Sequence, residues 1–212
     1  MEYTYRYDLI NKVIKKFGFK KYLEIGVCVP SDCFDMIEVE DKVGVDPGIE
    51  NPENPVKYPL DSDTFFRNLN SGFLDLPKDH KWDLIFIDGL HISHQVLRDV
   101  ENSLDHLNEG GYIMLHDCNP PEYFNQRENY YINGKQMPWT GTVWKAIYYL
   151  RTHRPDLKVG VINTDWGVGV IRREPTERIL FSNQFYEFNK MALNRRENLG
   201  LMEVSEFDSW LD

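Results

Sequence analysis

The chain of 212 residues carries 24 basic and 34 acidic side chains, a net charge of −10, which excludes the basic field that gathers a nucleic-acid backbone. No apolar run of about 18 or more residues is present to span a bilayer, and the N-terminus is amphipathic rather than charged and then apolar, so a soluble, unprocessed protein with no membrane partner is expected. Cys28, Cys33 and Cys118 are odd in number and lack paired metal-ligand spacing, which fits reduced thiols in a cytoplasm better than a disulfide scaffold.

Without a Pro/Gly/Ser linker, the length points to one domain spanning 1–212. Tyr7, Ile10, Val13, Ile14 and Phe17 make one apolar stripe that Gly18 can end, which predicts an N-terminal helix within 1–18. Residues 21–25 read as a strand, 31–37 as a helix capped by Ser31, and 42–45 as a strand running into Asp46-Pro47-Gly48. The prolines of 49–59 mark a loop with at most a brief extended piece, after which Asp61 or Ser62 can cap a helix through Leu69. Residues 82–87 and 112–115 are buried-type strands joined by one helix, a right-handed crossover that brings both carboxyl ends to the same sheet edge. Residues 139–151 are helical, with Val143, Trp144, Ile147 and Leu150 on one face, and 157–162 and 167–171 are strands joined by the turn Asn163-Thr164-Asp165-Trp166. The core is therefore 19–174. Residues 175–212 read as a helix to about Asn194 and an acidic tail whose Phe207, Trp210 and Leu211 dock on the body.

Ligands of open α/β sheets bind outside the carboxyl ends of the strands. Here one strand runs into Asp88-Gly89-Leu90-His91 and the next into His116-Asp117-Cys118-Asn119. Glu24-Ile25-Gly26 places a glycine at the end of the first strand, where a missing side chain lets a ligand approach the backbone. Asp46, twenty positions after Gly26, is placed to accept hydrogen bonds from a ribose diol. Either a nicotinamide dinucleotide or an adenosyl sulfonium satisfies that pattern. After Gly26 the chain reads Val27-Cys28-Val29-Pro30-Ser31-Asp32, with no further glycine. A pyrophosphate needs close backbone approach, so a cofactor without phosphates is preferred.

Glu24-Ile25-Gly26, Asp46, Ser62-Asp63-x-Phe65-Phe66, Asp83-x-x-x-x-Asp88-Gly-x-His91, Gly110-Gly111 and His116-Asp117 occur together in an order and spacing that resembles a class I S-adenosylmethionine-dependent methyltransferase. The likeness is to a small family with I-D-G-x-H, a helix with a central D, G-G and H-D, and it covers most of 22–117. The stretches from Trp139 to Lys145 and from Asp165 to Ile171 also resemble members found beside sugar-modifying enzymes. Where that family has additional glycine after E-x-G, this chain has Cys28 and Pro30. The resemblance implies a Rossmann-like α/β three-layer sandwich, a mostly parallel seven-stranded sheet that closes with a C-terminal antiparallel strand pair. It places Glu24 and Gly26 at the methionine end of the cofactor, Asp46 at the ribose, and Ser62 and Asp63 at the adenine. Asp88 and His91 then face the sulfonium and acceptor, with His116 and Asp117 opposite. In related sugar and antibiotic methyltransferases, carboxylates at these two strand ends hold a divalent cation, and Asp88 and Asp117 match them.

Methyl transfer from a sulfonium requires an aligned acceptor and removal of its proton, not a protein nucleophile. His91 is the first choice of base and His116 the second. Asp88 and Asp117 suit Mg²⁺ or a similar hard cation better than zinc. The expected activity is O-methylation of a sugar or other small hydroxylated acceptor, with room for a homo-oligomer. Each residue also has a plainer reading. Asp88 and Asp117 can brace loops, His91 and His116 can be structural, Asp99 can be solvated or brace a loop, and Trp139, Trp144 and Trp166 can be core rather than an acceptor stack. Residues 123–131, with Tyr130, are either a lid or a surface loop. The rival functions are an NAD(P)-dependent oxidoreductase or epimerase, and a non-catalytic protein of methyltransferase ancestry.

Overall fold

The computed structural model describes residues 4–133, 135–177, 179–180 and 182–212. Contacts divide the described residues into two units, 5–90 with 96–114, and residue 4 with 91–95 and 115–212.

In the first unit, α1 (Arg6–Phe17) buries Leu9, Ile10, Val13 and Ile14, and Gly18 closes it in the left-handed region with its N–H on Ile14 O. Residues 1–3 of the predicted N-terminal helix lie outside the described residues. Strands β1 (Lys21–Ile25) and β2 (Asp41–Val45) pair in parallel. The helix expected over 31–37 does not form. Two separate 3₁₀ turns, Pro30–Asp32 and Phe34–Met36, take its place, and Ser31 caps neither. Cys33 between them has φ −152° and is buried, so the backbone leaves the helical region where that side chain turns into the core. The extended piece expected in 49–59 is one bridge, Val45 with Tyr58. Helix α2 (Ser62–Ser71) is capped by Asp61, which accepts from Thr64 N at 2.8 Å. Of the two candidate caps, the aspartate is the one used.

Strand β3 (Trp82–Ile87) pairs in parallel with β1, and α3 (Ser93–Asp105) leads to β4 (Leu107–Leu115). This last strand begins five residues before the apolar run that announces it. Asn108, Glu109 and Gly110 are outside the core and carry no hydrophobic signal, yet Gly111 lies so close to β3 that a Cβ there would stand 2.7 Å from Asp83 O. Asp99 on α3, read as a solvated or loop-bracing acid, is buried.

In the second unit, a small antiparallel pair, β5 (Tyr131–Ile132) and β6 (Lys135–Gln136), follows a 3₁₀ turn at Tyr123–Gln126. Helix α4 (Val143–His153) starts four residues later than the apolar pattern suggests, because the 139–142 stretch is committed to the site described below. Strands β7 (Leu157–Ile162) and β8 (Val168–Arg173) are antiparallel. The long helix expected from 175 to 194 is reduced to α5 (Phe188–Leu193) and is followed by α6 (Arg195–Leu199). Residues 178 and 181 of that stretch are outside the described residues. The buried side chain of Asn183 accepts from Glu187 N and donates to Glu187 O, and these bonds compete with helix formation. The acidic tail contains a strand that the sequence reading lacks, β9 (Leu201–Met202), parallel to β7, and then α7 (Phe207–Leu211). Phe207 and Leu211 are buried, while Lys158 Nζ and Arg172 Cζ lie 4.7 and 5.4 Å from the Trp210 ring centroid. The tail docks as expected.

The large sheet has the strand order β2-β1-β3-β4-β8-β7-β9. Mostly parallel, with β7 and β8 antiparallel, the seven strands make the Rossmann-like α/β class expected from the motifs.

One polar residue ties the strand starts of the first unit together. Asp83 accepts from Lys20 N at 2.8 Å, Lys21 N at 2.9 Å and Asn108 Nδ2 at 2.7 Å. Partial burial works to raise its pKa, but the Lys20, Asn108 and Lys21 donors prevail and hold it below the usual carboxylate range. Stability from this group is present above its unfolded pKa and lost as pH falls through its folded one. Asp83→Ala should cost about 2–3 kcal/mol in urea denaturation at pH 7, and the difference from wild type should shrink as the pH falls below the usual carboxylate range.

Candidate functional site

In the first unit, the carboxyl ends of β1, β2 and β3 meet at a backbone contact. Gly26 donates to Val45 O and Asp88 donates to Ile25 O, both at 2.8 Å. Gly26 has φ +87°, and a Cβ on it would stand 2.3 Å from Asp88 O and 2.4 Å from Gly89 Cα. The glycine is required by the approach of the chain to itself.

Asp46 is buried and accepts from Cys28 N at 2.8 Å with one oxygen and from Gly48 N at 2.7 Å with the other. It thereby shapes both loops that flank it. A carboxylate has about four acceptor positions, so two bonds leave capacity for a diol. Cys28 has φ 44°, a left-handed conformation in which glycine is at ease. The glycine missing from the loop sequence is therefore present as a backbone shape. Asn51 Nδ2 donates to Cys28 O at 3.0 Å and helps hold it. Burial, followed by the charge of Glu50, lifts the Cys28 thiol to about 11, so it is no nucleophile at neutral pH.

Glu24 is buried and accepts from Tyr22 OH at 2.5 Å. Burial lifts its pKa to about 8 against the Tyr22 hydrogen bond, and the charge of Asp88 adds to the rise. Arg6 Nε lies 3.8 Å from Asp88 Oδ2. Tyr22 and Arg6 have no motif signal, because one reads as a strand residue and the other as the start of a helix. Ser62 and Asp63 open α2, and Asp63 pairs with Arg98 at 3.4 Å on a partly exposed face.

In the second unit, His91 is clamped by backbone. Thr142 N donates to His91 O at 2.8 Å, Ser93 N donates to Thr142 Oγ1 at 2.8 Å, and Gly141 (φ +57°) approaches so closely that a Cβ would be 1.9 Å from His91 O. The His91 ring stacks on Trp139 with centroids 4.9 Å apart. Its Nδ1 lies 2.9 Å from Asp117 Oδ2. Asp117 is buried with φ 60°, and its other oxygen is 3.6 Å from His116 Nδ1. His116 Nε2 lies 3.5 Å from Asp165 Oδ1, so each of its nitrogens has a carboxylate oxygen within 3.6 Å. Asp165 belongs to the site but sits in a stretch legible only as a turn.

His116 and Asp117 line a cavity of about 370 Å³ whose walls include Tyr130, Trp139 and Trp166. The loop over 123–131, expected as a lid or surface loop, is braced. Arg127 donates to the carbonyls of Phe124, Tyr130, Met137 and Pro138, and Trp139 Nε1 donates to Arg127 O at 2.5 Å. Trp144 lies in the core with its indole N–H on Gln126 Oε1. It is separate from Trp139 and Trp166.

Residues 53–118 match a family model described as a methyltransferase domain. No curated protein matches the chain. Among solved structures, a cofactor-bound MTB protein, Rv0187, is 11% identical with a TM-score of 0.54, covering 79% of each chain. The SAH-bound Podospora anserina methyltransferase PaMTH1 is 17% identical with a TM-score of 0.50, covering 79% of this chain and 77% of that one. An O-methyltransferase from Bacillus cereus in complex with SAH is 14% identical with a TM-score of 0.50, covering 77% of both. At these identities the likeness is one of fold, and it agrees with the class I methyltransferase resemblance seen in the motifs.

Two measurements check the first unit. Cys28→Gly should relieve the left-handed strain and raise stability by about 1 kcal/mol in chemical denaturation. Between the usual carboxylate pKa and about 8, the folded state holds a proton on Glu24 that the unfolded chain has released. Wild-type stability should therefore decline as pH rises through that window, and Glu24→Gln should flatten the decline in thermal melts from pH 5 to 8.5.

Proposed function

We propose that the protein is an S-adenosylmethionine-dependent O-methyltransferase acting on a small hydroxylated acceptor. The observation that carries this reading is the His91–Asp117 pair at 2.9 Å beside an aromatic cavity. A carboxylate this close to the ring favours the imidazolium that forms when the imidazole takes a proton. His116, with a carboxylate at each nitrogen, is better suited to holding Asp117 than to taking a proton. The closer approach of Asp117 to His91 than to His116 supports His91 as the base.

The first unit carries the residues proposed for the cofactor. Asp46 has acceptor capacity for the ribose, and the Cys28 loop reproduces a glycine conformation beside it. Glu24 and Gly26 border the methionine end, Ser62 and Asp63 the adenine, and Asp88 offers negative charge toward a sulfonium. When bound, the cofactor supplies an electrophilic methyl group on a good leaving group. His91 removes the acceptor's hydroxyl proton, and the Asp117 carboxylate stabilises the imidazolium that results. The aromatic walls exclude water and align the attacking oxygen.

A hard cation on Asp88 and Asp117 is a further part of the proposal, resting on the residue types at those motif positions; it would lower the acceptor's pKa. Isothermal calorimetry should show binding of S-adenosylmethionine and S-adenosylhomocysteine and none of NAD⁺, and silence with the first two ligands overturns the proposal. On an acceptor that is turned over, His91→Ala should lower kcat by about 10²–10⁴. EDTA should suppress turnover and Mg²⁺ restore it. Activity indifferent to chelation and to Asn at both aspartates would leave Asp88 and Asp117 as loop braces.

A further inference from the structure

The turn joining β7 to β8 is more strained than a connection between those strands requires. Asp165, Trp166 and Gly167 are three successive residues with φ of 44°, 62° and 88°. Glycine adopts this region freely and aspartate tolerates it, but a bulky aromatic there is an outlier. A two-residue Asn-Gly turn would join an antiparallel pair without placing an aromatic ring under strain. The conformation is pinned along its length. Cys118 N donates to Gly167 O at 2.9 Å and Asn119 N to Trp166 O at 2.8 Å, while a Cβ on Gly167 would stand 2.4 Å from Asn119 Cβ. Asp165 is buried against His116.

The strained residue is also the one that reaches the cavity. Trp166 lines it and is 41% exposed. Trp139 already has His91 against its ring at 4.9 Å and Tyr130 at 5.1 Å, whereas among the described residues no ring packs on Trp166. Trp166 is therefore the aromatic wall with a face to offer. The charge of the cavity restricts what arrives. Its lining contains Asp117 and His116 and, among the described residues, no lysine or arginine, and Asp165 adds a second carboxylate behind His116. A carboxylate or phosphate on the ligand would meet like charge without a permanent counterion. Hydroxyl groups, by contrast, are donors for acceptor-only carboxylates.

We infer that Trp166 is the specificity-determining wall of the acceptor site, and that the acceptor is an uncharged hydroxylated ring, aromatic or pyranose, which lays its flat face on that indole. Naming this ligand the methyl acceptor rests on the methyltransferase reading; the cavity's preference does not.

Saturation-transfer NMR titrations of the full-length protein, with and without S-adenosylhomocysteine, would use catechol and methyl α-glucopyranoside as neutral probes. Protocatechuate and glucose 6-phosphate serve as their charged counterparts. At least one neutral ring should bind about tenfold more tightly than its counterpart, and which one binds identifies the ring class. Trp166→Ala should weaken that binding about tenfold and Trp166→Phe should keep most of it. Trp166→Gly should weaken it as much as Ala does while melting no lower than wild type, because glycine removes the strain. Failure of both neutral rings to bind, equal binding of a charged counterpart, or an Ala variant within about twofold of wild type overturns the inference. Calorimetry with S-adenosylhomocysteine separates the two readings. If wild type ignores that ligand but ring binding still depends on Trp166, the cavity inference stands and the methyltransferase reading falls.

Discussion

The contact between the ends of β1 and β3 is the constraint from which the first unit's site follows. Gly26 has no Cβ, and a methyl group there would lie 2.3 Å from Asp88 O, well inside van der Waals contact. Because the two chain segments touch at this point, Glu24, Gly26 and Asp88 come to one place. Asp46 then bonds the next loop to the strand ends through Cys28 N and Gly48 N. A side chain at position 26 would separate the strands, and every later residue of the loop would lose its reference.

Strain is concentrated at strand ends. Cys28, Asp117, Asp165 and Trp166 all have positive φ, and none lies within a helix or strand. Such conformations persist only where surrounding bonds over-determine them. Here those bonds are visible: Asp46 and Asn51 on the Cys28 loop, and the Cys118 and Asn119 amides on the β7–β8 turn. Beside them, the carboxylates of Asp117 and Asp165 lie 2.9 Å from His91 Nδ1 and 3.5 Å from His116 Nε2.

Burial assigns different states to carboxylates that look alike in the sequence. Glu24, buried beside Tyr22 and near the charge of Asp88, keeps a proton up to about pH 8. Asp83, held by backbone amides and Asn108, stays ionised below the usual range. Desolvation dominates in the first and donor hydrogen bonds in the second. The Asp117 carboxylate lies between two imidazoles, 2.9 Å from His91 Nδ1 and 3.6 Å from His116 Nδ1.

Apolar periodicity made α1, β1, β2, β3, β7 and β8 legible to within a few residues, because each buries a repeating stripe or a continuous run that only a helix or strand accommodates. The strand-end motifs, from Glu24 to Asp117, were legible as well, since the chemistry depends on residue type at the end of a strand. Elements held by polar bonds or by single close approaches left no periodic trace. The early start of β4, the two-residue β9 and the loss of helix over 175–187 are of this kind. So are the roles of Arg127, Asp165 and Tyr22, which depend on partners distant in sequence. The residue types that could do the chemistry are thus a property of the sequence alone. Which nitrogen faces which oxygen, and which indole keeps an open face, were decided by tertiary structure, because those outcomes turn on displacements of an ångström or two that no pattern of residue types encodes.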